Sequence, residues 1–211
     1  MCLNNWGGID HKVLEFHEYV NLFSGKSGSG KSTVMDAIQV ILYGSFSPSF
    51  LNKAADDAKN RRSVLSYLRG EQKDGSANRK DCDFCSVIAL EIEDTGTHII
   101  TCIGIAFEVR KSDSEIKKFV YFSHSGKMPE SEYLTEQGVC YSNQEIKKLV
   151  SARTKSDDNR GKGEVNRIYG SKEAYLGTLY DVILGYIDQN RFITMEKSAI
   201  ALKMTNGTGQ F

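Results

Sequence analysis

The sequence predicts an α/β fold: a mixed sheet bearing a phosphate-type glycine turn, with an antiparallel strand group beside it. Three observations predict it. Tyr19–Phe23 has strand-like alternation, Gly25-Lys-Ser-Gly28-Ser-Gly30 is a glycine turn, and Ser32–Tyr43 has the pattern of a helix. Farther along, Val87–Glu93 and His98–Val109 read as strands joined by a turn at Asp94-Thr-Gly96-Thr.

The glycine turn fits G-x-x-x-x-G-K-[ST], with Gly25, Gly30, Lys31 and Ser32 in the defining places. Glycines let the backbone curl until several N–H groups face one anion. The helix that follows adds its positive end. The pattern therefore assigns nucleotide phosphates to Ser27, Gly28, Ser29, Gly30, Lys31, Ser32 and Thr33. Lys31, the expected catalytic cation, would reach the β- and γ-phosphates, and the Ser32 hydroxyl would hold Mg²⁺.

The remaining elements follow in order. Leu3–Trp6 and Val13–Phe16 read as strands around a Gly7-Gly8 hairpin. The Ser32–Tyr43 helix is apolar nearly all round, with Asp36 and Gln39 the exceptions, which predicts burial on more than one side. Gly44 is placed to end it, and Pro48 prevents its resuming. Residues 45–62 read as a loop with a short helix, Arg61–Leu68 follows, and Glu71–Asp83 is polar and turn-like. Lys118–Ser123 extends the antiparallel group. Ser142-Asn-Gln-Glu145 is a capping box opening a helix to about Val150. Residues 151–167 read as an exposed loop. Ser171–Leu184 is an amphipathic helix with Tyr175, Leu179, Val182 and Tyr186 on one stripe.

Composition limits the function classes. Hydrophobic content of 40% and charged content of 26% are those of a globular chain. Basic and acidic residues balance at 27 each, so any basic surface must be local. No apolar run is long enough to span a membrane, and Met-Cys-Leu-Asn-Asn-Trp lacks the features of an export signal. Five scattered cysteines, an odd number, fit reduced thiols and a cytoplasmic location. Cys82-Asp-Phe-Cys85 lacks the second ligand pair that zinc would need, so it reads as two ordinary thiols. The four histidines show no metal or triad spacing.

Two strand-like segments before the glycine turn, followed by Ser32-Thr-Val-Met-Asp36-Ala-Ile-Gln-Val-Ile-Leu-Tyr-Gly44, resemble the N-terminal lobe of SMC-like ATPase heads. Within that superfamily the likeness is to the condensin-like ATPase of bacterial Wadjet and Mks systems, a relative of MukB. It is carried by Phe50-Leu-Asn-Lys-Ala-Ala55, Arg62-Ser-Val-Leu-Ser-Tyr-Leu-Arg69-Gly-Glu71, Asp83–Glu91, Glu173-Ala-Tyr175 and the run from Arg191 to Lys203.

The resemblance implies that residues 1–211 are one lobe of a longer protein. A coiled-coil arm would lead to a C-terminal lobe holding the Walker B acid, catalytic glutamate and signature motif. Two heads would form a homodimer around two ATP molecules, with accessory subunits, in DNA loop extrusion and anti-plasmid defence. It also implies that Arg69 approaches the nucleotide or, in the dimer, DNA. The family often has Asn where this chain has Ser27. The glutamine that completes Mg²⁺ coordination would fall near Arg167–Gly170, where none occurs; Gln144 and Gln189 lie on helix patterns, so the second ligand stays open.

Blander readings stand beside these. Glu93-Asp94 and Asp181 imitate a Walker B end but fall at a hairpin turn and on a helix, and both are rejected. Lys59, Arg61 and Arg62 suit DNA phosphates or a solvated helix face. Asp36 reads as a structural carboxylate, and Trp6-Gly7-Gly8 as either an adenine contact or core. A self-contained nucleotide or small-molecule kinase, with 151–167 as its lid, is one functional rival. A non-catalytic nucleotide-binding module is another.

Overall fold

The computed structural model describes residues 1–26, 28–47, 51, 63–71, 75–156 and 165–180. The fold is α/β. Six strands form one sheet in the order β2-β1-β3-β4-β5-β6: β1 (Cys2–Trp6), β2 (Ile9–Val13), β3 (Phe84–Glu93), β4 (Ile100–Val109), β5 (Lys118–Ser125) and β6 (Arg167–Tyr169). Every pairing among the described residues is antiparallel. Helices α1 (Lys31–Tyr43), α2 (Val64–Leu68) and α4 (Lys172–Thr178) cover one face. Helix α3 (Asn143–Ser156) and the segment from Met128 to Tyr141 cover the other.

Local chemistry explains most boundaries. Gly7 adopts φ +56°, which lets a two-residue turn pair Trp6 with Ile9. The hairpin is as expected, but its second strand is Ile9–Val13 rather than Val13–Phe16. Asp94 accepts from the Gly96 and Thr97 N–H groups at 2.8 and 2.9 Å, closing the β3–β4 turn. The capping box also forms: Ser142 N–H donates to Glu145 Oε2 at 2.7 Å, and Glu145 N–H to Ser142 Oγ at 3.4 Å. The helix it opens passes Val150 and reaches Ser156, so the segment expected as a loop starts helical, and Arg167 already belongs to β6. Residues 157–164 lie outside the described residues.

Tyr19–Phe23 is not a strand. No described strand offers its backbone a ladder, and Tyr19, Val20 and Leu22 are 87%, 76% and 88% exposed. A local turn takes over. His17 N–H donates to Asn21 Oδ1 at 2.7 Å, and Asn21 Nδ2 donates to the His17 carbonyl at 2.8 Å. The expected mixed character of the sheet depended on this strand. Helix α1 is covered on more than one side, as its composition predicted: Val34, Asp36, Ala37, Val40 and Ile41 are buried, and only Ser32 and Met35 are exposed.

Three tyrosines complete the end of α1. Tyr175 OH donates to the Ile41 carbonyl at 2.9 Å, Tyr121 OH to the Gly44 carbonyl at 2.7 Å, and Tyr180 OH to the Leu42 carbonyl. These carbonyls lie at the helix end, where intrahelical donors run out. Gly44 takes φ +56° there, with Tyr121 and Tyr175 packed on it, as its sequence position predicted. Tyr175→Phe should therefore cost about 1–2 kcal/mol, since the buried Ile41 carbonyl loses its donor while ring packing survives. Chemical denaturation checks this; an unchanged midpoint would mean that water replaces the hydroxyl.

The remaining amphipathic-helix expectation is met as far as it is described. Ser171 Oγ caps α4 through Ala174 N–H at 3.2 Å, and Tyr175 and Leu179 are buried. Val182 and Tyr186 lie outside the described residues. Among those described, no helix is long and apolar enough to cross a membrane.

Candidate phosphate-binding site

The hairpin, α1 and α2 fix the position of the glycine turn. Trp6 is fully buried and donates its indole N–H to the Thr33 carbonyl at 2.9 Å, tying β1 to the first turn of α1. Trp6 is thus a core residue, and the adenine-contact alternative for it falls away. A Cβ on Gly7 would stand 3.0 Å from the Thr33 methyl and 3.1 Å from the Tyr67 ring, so the hairpin turn, α1 and α2 meet there.

Arg79 braces this junction. It is buried, donates Nε to the Leu68 carbonyl at 3.1 Å and Nη1 to Asp10 Oδ1 at 2.6 Å, and donates Nη2 to the Gly7 carbonyl. Burial lowers its affinity for the proton, and Asp10 opposes that shift. No pattern in the sequence marks this role. A single arginine in the polar stretch 71–83 looks solvated, and only the tertiary fold folds it inward.

At the turn itself, Gly30 caps α1 in the left-handed region with φ +86°, and no side chain caps the helix. No acidic residue occupies the first turn. The positive helix end is therefore not neutralised from within, the electrostatic condition for an anion site. Ser29 N–H donates to the Lys26 carbonyl at 3.2 Å, curling the loop, and Gly25 has φ +149° with a Cβ position only 2.7 Å from Ser29 Oγ.

Lys31 folds back across this loop. Its ammonium donates to the Gly25 carbonyl at 2.7 Å, the Lys26 carbonyl at 2.9 Å and Ser29 Oγ at 3.2 Å. The cation is thereby held over the loop that would surround a phosphate. Gly28, Ser29 and Ser32 are exposed; Gly30, Lys31 and Thr33 are half-buried. Ser27 lies outside the described residues.

The donor set fits a nucleotide phosphate. The exposed Ser32 hydroxyl can supply one Mg²⁺ ligand, which suffices for an ion that keeps several waters and takes others from phosphate oxygens. Gln144 cannot serve alongside it, because α3 lies on the opposite face of the sheet from α1. Gln189 is outside the described residues. Among the described residues no group of three or more His, Cys, Asp or Glu could hold a metal by itself.

The structure does not gather the other candidates at the loop. Arg69 Nη2 donates to the Arg110, Lys111 and Asp113 carbonyls at 3.2, 3.0 and 2.9 Å, holding the turn between β4 and β5. Lys59, Arg61, Arg62 and Asp181 lie outside the described residues. Asp36 is buried, and Asp94 is engaged in its turn. Cys82 is exposed and Cys85 half-buried with its thiol pushed up to about 11 by burial; all five cysteines are free. Two clefts in the molecule lie elsewhere, and no phosphate-loop residue lines either.

Residues 1–58 match the family model described as the P-loop containing region of AAA domain. No curated protein matches the chain. The match takes in the hairpin, the glycine turn and α1; Lys31 bonds to the turn, and the hairpin meets α1 at Thr33. Over residues 1–58 the chain is similar to a P-loop NTPase region of the AAA type, and that similarity suggests nucleotide binding.

Proposed function

We propose that this chain is the ATP-binding N-terminal lobe of an SMC-like ATPase head. The observation that carries the nucleotide part is Lys31 held across the loop at an unneutralised helix N-terminus. The lobe reading is supported by the apolar, strand-patterned segment at Tyr19–Leu22, which lies exposed immediately before the loop. Such a segment needs an apolar cover, and a C-terminal lobe of the same head would supply one. Dimerisation through two nucleotides, accessory subunits, DNA handling and anti-plasmid defence belong to this proposal through the resemblance, as does a cytoplasmic location.

Backbone N–H groups from Gly28 to Thr33 bind phosphate oxygens, Lys31 leaves the loop carbonyls for the β- and γ-phosphates, and Ser32 orients Mg²⁺. Bound Mg²⁺ supplies charge neutralisation at the phosphates. The resemblance alone gives Arg69 a role toward nucleotide or DNA in the assembled protein, which would require it to leave the β4–β5 turn carbonyls. The kinase rival is weaker because 151–156, the start of its only lid candidate, is part of α3 on the sheet face away from α1.

Turnover tests the reading. Residues 1–211 should bind ATP yet hydrolyse it far below the roughly 1 per second of a modest enzyme. Binding the ground state alone lowers no barrier, and no carboxylate is placed beside Lys31 among the described residues to position water. Adding the C-terminal lobe should raise the rate. A purified 1–211 chain turning over at about 1 per second or more would overturn the lobe reading and favour the self-contained enzyme.

A further inference from the structure

A second surface lies at the end of the sheet opposite the Gly7-Gly8 turn. The β1–β2 register pairs Cys2 with Val13 there and Trp6 with Ile9 at the turn end. An open cleft of about 930 Å³ has an apolar lining of Met1, Val13, Leu14, Phe16, Met128 and Pro129. Val13 and Phe16 are each 39% exposed, large apolar side chains facing water.

Acid surrounds that floor. Glu15, Glu18, Glu91, Glu93, Glu130 and Glu132 line the cleft, and no described lysine or arginine does. Three are engaged: Glu91 accepts from Met128 N–H at 2.6 Å, Glu93 meets His98 at 3.0 Å, and Glu132 meets His11 at 2.7 Å. The Met1 ammonium donates to the Leu14 carbonyl at 2.7 Å and interacts with Glu15 and Glu91, offsetting one of the six negative charges. Glu15, Glu18 and Glu130 are exposed around the opening. In a chain whose formal charges cancel, this is a marked local imbalance, and a concave wall concentrates its field.

The arrangement discriminates among ligands. A metal ion needs carboxylates that converge, and no such group exists among the described residues. Phosphate and nucleic acid are repelled. Carboxylates spread around an apolar floor complement a polypeptide whose apolar side chains are flanked by Lys or Arg. We infer that this cleft docks a basic, apolar-centred segment of a partner protein. The site is separate from the phosphate loop and does not rest on the nucleotide reading.

The test uses the 1–211 chain and a fluorescein-labelled peptide of repeating Lys-Leu-Leu-Lys, read by anisotropy. Binding should be saturable and weaken steeply with salt. Glu15→Gln, Glu18→Gln and Glu130→Gln together should weaken it about tenfold or more without moving the melting temperature, since all three are exposed. Phe16→Ser should also weaken it, and Lys31→Ala should leave it unchanged. A Lys-Gly-Gly-Lys peptide binding equally well would overturn the apolar floor. Unchanged affinity in the glutamine variant would overturn the cleft. A dimer in sedimentation that the glutamine variant dissolves would make the occupant a second copy, and overturn the partner assignment.

Discussion

Mg-ATP should raise the melting temperature of the chain, and Lys31→Ala should remove most of that rise. A ligand at about a hundred times its dissociation constant adds about 2.7 kcal/mol to the folded state. For a chain of this size that is about 5–10 °C. Among the described residues of the free protein, Lys31 bonds to its own loop, at Gly25, Lys26 and Ser29, and not to the core. The variant should therefore melt within about 1 kcal/mol of the parent when no nucleotide is present. Differential scanning fluorimetry reads both quantities. No shift in the parent, or a full shift in the variant, would remove the phosphate site, whereas a failure of the turnover prediction would leave it standing.

The largest stability loss should come from Gly104→Ala. Gly104 sits on β4, opposite Ala89 on one side and Phe122 on the other. A Cβ there would lie 2.5 Å from the Ile88 carbonyl oxygen and 2.7 Å from the Phe122 ring. The ring could shift, but it is fully buried against the α3 layer, and the carbonyl belongs to the neighbouring strand. Relief requires moving backbone in the middle of the sheet, an overpacking cost at or above about 3 kcal/mol. Gly8→Ala is the control. A Cβ at Gly8 meets nothing within 4 Å, so that variant should melt like the parent. Equal denaturation midpoints for Gly104→Ala and the parent would show that the strands separate easily, contrary to this packing.

The β3–β4–β5 group was readable because its strands are 8 to 10 residues long and strongly patterned, with local turn chemistry closing β3 onto β4. Asp94 and Gly96 specify the β3–β4 turn whatever surrounds them. Ser142 and Glu145 specify the start of α3 in the same way. Tyr19–Phe23 shows the limit of pattern reading. Alternation states which side chains could share a face, but a strand also needs a neighbour for its N–H and C=O groups, and none of the described strands supplies it.

What the sequence by itself pointed to was the glycine turn and the Lys31 that folds over it, because that candidate site is made of contiguous backbone. Gly25, Gly30, Lys31 and Ser32 lie within eight positions of one another, so spacing alone brings their groups together. Only the tertiary structure decided the rest. It turned Trp6 into a brace for α1, set Arg79 under the hairpin, and spent Arg69 on the carbonyls of a distant turn. It also brought Tyr121, Tyr175 and Tyr180 from β5 and the α4 region to the end of α1. The physical reason is the same in each case. A side chain's role depends on which unpaired polar group or apolar surface faces it, and for residues far apart in the chain the folded path sets that.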